Sequence, residues 1–523
     1  MSEPQIDIRP DHWAIVRDIL QRHVPQHAVW AFGSRAKWTA KEYSDLDLAI
    51  ITDSPLPLAT SAALAEDFSE SDLPWKVDIV DWAETSETFR KIIERDRVVV
   101  QEYRLEVEPF SAWPECQLRD CATWYSGGTP SKSMPSYWGG DIPWISAKSL
   151  IGFFISDSED RVTEEGVRNG TRLVPEGSIL FVVRGMSLKA EFRMGLTTRP
   201  VTFNQDLKAL VAVDGIESAY LAYAIKSKTA QILQMVGEAG HGTGVLPTDR
   251  IQALKIPVPP IEEQRTIARI LGTLDDRIEL NRRMNETLEA MARSLFNSWF
   301  VNFDGVSAQG MQESELKPIP KKWSWEPVSK LIELNPIEPL RKGMLSPYLD
   351  MAALPTVGSW PEPPILREYS SGMRFRNGDT LLARITPCLE NGKTAFIQCL
   401  PENALAWGST EFIVMRPVNP VPVEYAYLLA RDEAFRNHAI QSMTGTSGRQ
   451  RVQAESIAQF KVAYPDNPAI WQEFAESVSP LFKGIKVNAE STQTLTQLRD
   501  TLLPKLISGE VRIKDAERLA ETA

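Results

Sequence analysis

The sequence has little cysteine, no long apolar run and no excess of positive charge. Its four cysteines (Cys116, Cys121, Cys388 and Cys399) have spacings that match no zinc or redox motif, which favours reduced thiols in a cytoplasmic protein. No apolar stretch approaches the roughly 20 residues of a membrane-spanning helix, so we expect no membrane partner. The polar, acidic start MSEPQIDIRPDHW lacks the pattern of a signal peptide.

The length and charge indicate several folded domains. The chain has 523 residues and a net charge of −12, of which residues 1–106 carry −8 and the remainder −4. A chain of this length predicts about three domains, and a content of 43% hydrophobic and 24% charged residues is typical of globular proteins. The nearly balanced remainder is compatible with a basic face for DNA, although composition alone does not demonstrate one.

An apolar seam with a seven-residue period runs through residues 261–300. Alternating steps of four and three from Ile267 reach Leu271, Leu274, Ile278, Asn281, Asn285, Leu288, Ala292, Leu295 and Trp299. This spacing predicts a helical rod of roughly 50 Å. One amphipathic helix cannot bury its own apolar stripe, so the rod needs a partner helix.

A second stretch, residues 471–508, repeats the same seam 207 positions later. Asn281 corresponds to Asn488, and each lies in the middle of its seam. We expect the two helices to pair as an antiparallel coiled coil in which Asn281 faces Asn488 and the two residues fix the register. The alternative is two unrelated amphipathic helices that share a period.

Three aspartates in the first hundred residues indicate a cation site. Asp45 and Asp47 are two residues apart in a predicted strand and project to the same side, and Asp78 lies on another predicted strand. Clustered carboxylates repel one another unless a cation lies between them, and Mg²⁺ is the oxygen-seeking ion that such sites hold with substrate phosphates. Gly33 and Ser34, at a strand-to-helix turn, present backbone N–H groups and a hydroxyl to a phosphate.

The motif Gly33-Ser34, eleven residues, Asp45-Leu46-Asp47 and a later aspartate resembles the minimal nucleotidyltransferases of the polymerase-β superfamily. The resemblance implies that Gly33 and Ser34 bind a nucleoside triphosphate, which we expect to be ATP. It implies that Asp45, Asp47 and Asp78 bind Mg²⁺ and form the catalytic set, with Asp78 helping to activate the acceptor. The product would be a nucleotidylated target, often a partner protein. The alternative is a vestigial domain that only binds another protein.

Beyond residue 107 the chain contains two related halves of about 200 residues. Residues 174–185 resemble 375–385, and residues 242–260 resemble 445–465, in the same order and at nearly the same separation. Each half is predicted to be a β-rich globular segment followed by one long helix.

Four stretches in the first half resemble signatures of the specificity subunit of Type I restriction–modification systems. They are residues 127–150, 162–170, 203–210 and 256–271. The resemblance covers about residues 107–511. It implies two target-recognition domains that each read one half of a bipartite DNA sequence, separated by helices that act as a ruler and bind methyltransferase subunits.

The expected fold class is therefore multidomain α/β and α+β. The expected parts are a nucleotidyltransferase-like domain (1–106), two target-recognition domains (107–260 and 307–465), a central and a C-terminal spacer helix (261–306 and 466–511) and a tail (512–523). The sequence lacks a methyltransferase motif. The resemblance therefore implies that modification subunits bind S-adenosylmethionine and that a restriction subunit uses ATP, with no cofactor in the specificity region itself.

Five cations near the repeated strands are candidate contacts to double-stranded DNA: Lys148, Arg184, Lys189, Arg384 and Lys393. Arg and Lys suit guanine edges and phosphates. The alternative for any one of these residues is that it is an ordinary surface charge in contact with solvent.

The fusion admits two functional interpretations. The chain is a DNA-reading subunit whose first domain modifies or restrains a toxin or a restriction subunit. Alternatively, it is primarily a nucleotidyltransferase that uses the repeat as a targeting scaffold. Whether the first domain is an active enzyme stays open at this stage.

Overall fold

The protein is described by a computed structural model. It describes residues 6–101, except 26, 42, 53 and 54, and residues 113–511, except 151, 240, 241 and 447, together with 513 and 516. The chain divides into two compact units, Met1–Ala112 and Trp113–Ala523. The boundary predicted after residue 106 and most of the predicted tail lie outside the described residues. None of the described helices is both long and apolar enough to cross a membrane.

The first unit is a four-stranded mixed sheet with helices on both faces. Its strands lie in the order β3-β2-β1-β4, with β2 parallel to β3 and antiparallel to β1. The elements are α1 (Pro10–His23), β1 (Ala28–Phe32), α2 (Gly33–Ala36), β2 (Leu46–Ile51), α3 (Leu58–Ser69), β3 (Val77–Asp81), α4 (Glu87–Asp96) and β4 (Val98–Gln101).

Alternation along the strands decides which side chains face which helices. Leu46 and Leu48 of β2 are fully buried in the core that includes α1 and α3. Phe32 of β1 belongs to a smaller core on the opposite face, together with Ile93 of α4. Successive strand residues point to opposite faces, so Asp47, between Leu46 and Leu48, lies on the face covered by α4.

The second unit begins with a β-rich segment that ends in a long helix. Its elements are β5 (Glu115–Gln117), α5 (Leu118–Cys121), β6 (Ala122–Ser126), β7 (Trp138–Ile145), β8 (Phe154–Ile155), β9 (Arg161–Val162), α6 (Glu164–Arg168), β10 (Arg172–Val174), β11 (Ile179–Val182), β12 (Arg184–Gly185), β13 (Met194–Thr197), β14 (Val201–Phe203), β15 (Leu207–Ala212), α7 (Ser218–Ser227), α8 (Thr229–Gln234), β16 (Gly237–Ala239), β17 (Thr243–Val245), α9 (Thr248–Gln252), β18 (Lys255–Pro257) and α10 (Ile261–Phe296).

A second β-rich segment and a second long helix follow. Their elements are β19 (Met311–Gln312), β20 (Ile319–Pro320), β21 (Trp323–Pro327), α11 (Val328–Leu331), β22 (Ile332–Leu334), β23 (Leu345–Leu349), β24 (Ile365–Glu368), β25 (Met373–Phe375), β26 (Thr380–Ala383), β27 (Thr394–Phe396), β28 (Ala406–Gly408), β29 (Phe412–Pro417), α12 (Glu424–Arg431), α13 (Glu433–Gln441), α14 (Ala454–Ala458), β30 (Lys461–Pro465) and α15 (Pro468–Ser508).

The two β-rich segments share one topology. The first contains the sheets β10-β14-β7-β9 and β6-β15-β11-β13-β8, and the second contains β25-β28-β23-β24 and β22-β29-β26-β27. The strands correspond one to one in each sheet, except that β8 has no counterpart among the described residues of the second segment. In both segments a two-stranded sheet, β18-β5 or β21-β30, lies next to the long helix. The internal repeat inferred from the sequence is therefore a repeat of the fold.

Helices α10 and α15 pack against each other and run antiparallel. Asp275, in the first half of α10, forms an ion pair with Arg499, near the end of α15, at 2.5 Å. At the other end Trp299 packs on Phe474, with ring centroids 5.7 Å apart. The first half of α10 shares a core with the first β-rich segment and the end of α15. Its second half shares another core with the second segment and the start of α15.

The expected pairing of Asn281 with Asn488 is wrong by about one helical turn. Asn488 Nδ2 donates to Asn285 Oδ1 at 2.9 Å, whereas Asn281 Nδ2 donates to the Ser491 hydroxyl at 3.2 Å. The ion pair of Asp275 with Arg499 and the contact of Trp299 with Phe474 agree with this register. The seam period alone is compatible with either pairing, because both asparagines of α10 are seam positions.

Candidate functional site

The three aspartates of the first unit lie at one end of its sheet. Asp47 of β2 is directly opposite Asp78 of the parallel strand β3, where adjacent strands are about 4.8 Å apart. Asp45 is exposed and lies one residue before β2 begins, although the sequence placed it within the strand. Asp47 and Asp78 are both half-buried, so two neighbouring carboxylates meet at a partly covered surface.

Gly33 lies directly against this pair. It follows β1, whose last residue, Phe32, is opposite Asp47. Its φ of +74° is in the left-handed region, and a Cβ added there would lie 2.1 Å from Asp47 Oδ2. Both constraints require glycine. Ser34 follows in the single helical turn α2, so the structure brings the Gly-Ser motif and the aspartates together.

The electrostatics of the cluster favour a bound cation. Burial raises the pKa of Asp47, and the negative charges of Asp78 and Asp45 raise it further. A cation among the three would relieve this repulsion, and carboxylate oxygens are the ligands that hard divalent ions prefer. No three His, Cys, Asp or Glu side chains in the described part of the chain converge closely enough to hold a metal by themselves. The donors fit a metal that takes its other ligands from water and substrate phosphate.

One lysine also belongs to this site. Lys76 Nζ forms an ion pair with Asp78 Oδ1, and the Lys76 carbonyl accepts a hydrogen bond from Leu46 N at 2.9 Å. The ammonium therefore lies beside the carboxylate of β3, and Asp45 is near enough to interact with it electrostatically. Lys76 was not predicted as a site residue, although it is two residues before Asp78, a spacing that in extended chain places both side chains on one face.

Arg35 holds the two parts of the motif together and was likewise missed. Its guanidinium donates to the carbonyls of Ser44 and Asp7, each at 2.9 Å. It also lies over the ring of Trp75 at 4.3 Å. Since Arg35 follows Ser34 and Ser44 precedes Asp45, this buried side chain fixes the Gly-Ser turn relative to the aspartates. The signal in the sequence was an arginine inside an otherwise apolar strand–turn segment.

The candidate DNA contacts of the first β-rich segment differ in their availability. Lys148 forms an exposed ion pair with Glu159 at 2.6 Å, and Lys189 forms one with Glu238. Arg184 is exposed at the start of β12 and lies opposite Val245 of the glycine-containing strand β17. Of the three, Arg184 is the best candidate for a DNA contact, because it is exposed while the two lysines are paired with carboxylates.

The candidates of the second segment are more constrained. Arg384 Nη2 donates to Gln453 Oε1 at 2.6 Å. Lys393 Nζ donates to the carbonyl of Met351 at 2.7 Å, and such a bond within the protein indicates a structural role more than a DNA contact. The first segment supports a structural role for Lys393. Its equivalent there, 200 positions earlier, is Arg193, which donates to the carbonyl of Ala147 at 3.2 Å. A cation that holds the same loop in both copies has a structural role in each.

Both β-rich segments are joined to α10 through a buried tyrosine and carboxylate. Tyr223 of α7 donates to Asp275 at 2.8 Å, and Tyr427 of α12 donates to Glu289 at 2.7 Å. Both carboxylates are nearly inaccessible to solvent, at 5% and 8% exposure. Burial and the adjacent carboxylate raise the pKa of each tyrosine. Each segment therefore has a fixed orientation on the same helix.

Gln264 explains one of the recognised sequence signatures. It is fully buried in the first turn of α10, accepts from Glu217 N at 2.9 Å and donates to the carbonyl of Pro259 at 2.8 Å. Gln264 thus fastens the start of the long helix to the first β-rich segment. Its counterpart in the second copy, 207 positions later, is the buried Trp471.

The second unit therefore contains two copies of one β-rich fold attached to a pair of antiparallel helices. The first unit contains the Gly-Ser and aspartate motif of the polymerase-β type. Residues 111–290 match the family described as "Type I restriction modification DNA specificity domain", and residues 15–104 match "Polymerase beta, Nucleotidyltransferase".

Similar proteins cover both parts of the chain. The MjaIX specificity subunit of Methanocaldococcus jannaschii is 29% identical over 435 residues, which are 77% of this chain and 94% of that protein. A probable protein adenylyltransferase of Haemophilus influenzae, MntA, is 58% identical over 107 residues, which are 20% of this chain and 94% of that protein. A solved structure of the Type I S subunit from M. genitalium covers 77% of this chain and 98% of its own, with 14% identity and a TM-score of 0.47.

The chain belongs to the DNA specificity subunits of Type I restriction–modification systems, and its first unit belongs to the MntA-type nucleotidyltransferases. The family resemblance inferred from the sequence is confirmed for both parts. These similarities indicate that the first unit uses a nucleotide and a metal ion, without specifying which ones.

Proposed function

We propose that the chain reads a bipartite DNA sequence, with one half-site for each β-rich segment. The observation that carries the proposal is the duplication of one fold at the two ends of an antiparallel helix pair. Since each segment is fastened to α10 by its own buried tyrosine–carboxylate bond, the distance between the readers follows the helix. The DNA between the half-sites would not be read.

Arg184 and Arg384 are our preferred DNA contacts. They follow the equivalent strands β11 and β26 and have equivalent neighbours, since Arg184 is opposite Val245 while Ile385, next to Arg384, is opposite Arg451. Lys148 and Lys189 would have to exchange a carboxylate partner for a phosphate. Such exposed pairs are worth only about 0–1 kcal/mol, so the exchange is inexpensive.

We also propose that the helices bind methyltransferase subunits in the cytoplasm and that a restriction subunit joins the complex. Leu280, Met284 and Met291 of α10 are exposed in this chain, on the stretch between the two β-rich segments. Exposed apolar side chains on a helix are typical of a protein interface. S-adenosylmethionine and ATP would be bound by those partners.

Mapping methylated bases in cells that express the chain with its methyltransferase subunit tests the reading of DNA. We expect a motif of two fixed half-sites around an unread gap. Replacing Arg184 with Ala should relax one half-site only, whereas replacing Arg384 with Ala should relax only the other. A contiguous motif contradicts the proposal.

For the first unit we propose Mg²⁺-dependent transfer of a nucleotide from ATP to a protein. Asp45, Asp47 and Asp78 would hold Mg²⁺, which when bound would neutralise charge on the phosphates. Gly33 and Ser34 would face the phosphates with backbone N–H groups and a hydroxyl, and Asp78 would receive the acceptor's proton. The contact of Gly33 with Asp47 supports this assignment, because it places the Gly-Ser turn at the carboxylates. The acceptor would be a toxin or a restriction subunit.

Incubation with labelled ATP and Mg²⁺ tests this activity. We expect label on a co-purifying protein, no label with the Asp45→Ala/Asp47→Ala variant, and normal labelling with Asp11→Ala, which removes an exposed carboxylate of the same unit. Absence of label on every protein of the complex would leave the unit as a binding module.

The second candidate is a nucleotidyltransferase that the repeat directs to its target. The 58% identity of the first unit to a probable protein adenylyltransferase favours this candidate more than a vestigial domain. Target DNA distinguishes the two functions: labelling that requires DNA containing the methylated motif supports targeting, and labelling that ignores DNA supports independent activity.

A further inference from the structure

Lys76 lies beside Asp78, one of the three aspartates of the first unit. It immediately precedes β3, and its carbonyl is bonded to Leu46 N at the start of β2. Its ammonium group contacts Asp78 Oδ1. Among the described residues, no other cation forms an ion pair with Asp45, Asp47 or Asp78.

The ion pair of Lys76 with Asp78 is exposed and therefore exchangeable. The lysine side chain is 73% exposed and the aspartate 42%. Such a pair contributes little to folding, so a divalent cation with higher charge can replace the ammonium at the carboxylate oxygen. The exchange breaks no covalent bond and leaves Lys76 positively charged.

We propose that Lys76 competes with the metal ion for Asp78 and, once displaced, binds the phosphates of the nucleoside triphosphate. This inference rests on the nucleotidyltransferase function proposed above. A lysine on a flexible four-carbon side chain can move from a carboxylate to a phosphate without movement of the backbone. The exchange couples the two ligands: metal binding frees the cation that the triphosphate needs.

A matched pair of variants separates this role from a general loss of surface charge. Lys76→Met removes the ammonium and keeps most of the side chain. Lys91→Met is the control, because Lys91 is also 73% exposed and pairs with an exposed carboxylate, Glu87 at 3.2 Å, that is not one of the three site aspartates. Lys76→Arg retains the charge and is the conservative variant.

The first measurement titrates Mn²⁺ alone into the full-length chain. Without the competing ammonium, Lys76→Met should bind Mn²⁺ about two- to five-fold more tightly, the range expected from loss of an exposed ion pair. Lys91→Met should bind it as the wild type does. Equal Mn²⁺ affinity in Lys76→Met and the wild type would overturn the competition.

The second measurement adds a non-hydrolysable ATP analogue at saturating Mn²⁺. Lys76→Met should bind the analogue about ten-fold more weakly, because it lacks a charged donor to phosphate, and Lys76→Arg should retain most of the affinity. A merely structural lysine would not change the two affinities in opposite directions. Analogue binding that is equal in Lys76→Met and the wild type would overturn the second half of the proposal.

The wild type distinguishes failure of this inference from failure of the proposed function. If the wild-type chain binds neither Mn²⁺ nor the analogue, while Asp45→Ala/Asp47→Ala behaves identically, both the metal site and the role of Lys76 are contradicted. If the wild type binds both ligands and Lys76→Met does the same, only the role of Lys76 is contradicted.

Discussion

Replacement of Gly33 by alanine tests the geometry of the nucleotidyltransferase site directly. The new Cβ would lie 2.1 Å from Asp47 Oδ2, and ordinary contact begins near 3.4 Å. The carboxylate must therefore retreat by about 1 Å, which is the scale of misplacement that costs roughly 100-fold in rate at a reacting centre. The φ of +74° adds about 1–2 kcal/mol of backbone strain for a residue with a side chain.

We expect Gly33→Ala to lower label transfer from ATP about 100-fold and to lower the free energy of unfolding of the first unit by about 1–2 kcal/mol. Circular dichroism and thermal unfolding show whether the variant is folded at the assay temperature. The control is Gly272→Ala in α10, where an added Cβ meets nothing within 4 Å. It should leave label transfer unchanged and stabilise the helix by roughly 0.5–1 kcal/mol.

Transfer by folded Gly33→Ala within about three-fold of the wild-type rate would refute the reasoning. It would mean that Asp47 does not need its position against the Gly-Ser turn. Loss of transfer together with loss of folding is resolved by the Mn²⁺ titration below the unfolding temperature, where a folded variant with a displaced Asp47 should bind Mn²⁺ more weakly.

Three further predictions concern the helix register, the pH dependence and a buried tyrosine. A double-mutant cycle of Asn285→Ala and Asn488→Ala should give a coupling energy of about 0.5–1.5 kcal/mol in urea unfolding, whereas Asn281→Ala with Asn488→Ala should give about zero; the opposite result contradicts the register. The raised pKa of Asp47 means that its ionised form destabilises the folded unit, so Asp47→Asn should increase thermal stability at pH 7, and the gain should vanish as the pH falls below the ordinary aspartate range. Tyr427→Phe should lower the free energy of unfolding by about 1–3 kcal/mol because it leaves a buried carboxylate of α10 without its donor, and an unchanged unfolding curve would count against that contact.

Local patterns in the sequence predicted several strands of the first unit. The strand expected before the Gly33-Ser34 turn is β1, and the strand expected to carry Asp78 is β3. The approach of Gly33 to Asp47 follows from strand pairing, since β1 and β2 place Phe32 opposite Asp47. Contacts made by Arg35 and Lys76 were not predicted, because each depends on a carbonyl or carboxylate whose position is set by another strand or loop.

The repeating pattern of the long helices predicted their pairing but not their register. The heptad seam predicted two paired helices, and α10 and α15 pair along most of their length. The seam could not select Asn285 over Asn281 as the partner of Asn488, because a shift of one turn places similar residues opposite each other. The ion pair of Asp275 with Arg499 agrees with the observed register, and Asp275 is not one of the seam positions that the prediction used.

Side-chain partners also limited the prediction of DNA contacts. Lys148 and Lys189 pair with carboxylates and Lys393 donates to a backbone carbonyl, whereas Arg384 donates to the neutral amide of Gln453. Sequence reports the charge of a residue but not which neighbour neutralises it. The DNA contacts therefore stay predictions, with Arg184 and Arg384 preferred.

The most direct test of the account changes the length of the paired helices. One heptad is inserted into α10 near Asn285 and one into α15 near Asn488, so that the antiparallel pair stays in register, and methylated bases are mapped in cells that express the methyltransferase subunit. Seven residues add about 10 Å of helix, or up to about three base pairs of DNA. The account predicts the same two half-sites around a longer unread gap. A gap of unchanged length, or a methylated sequence with no gap, would contradict it.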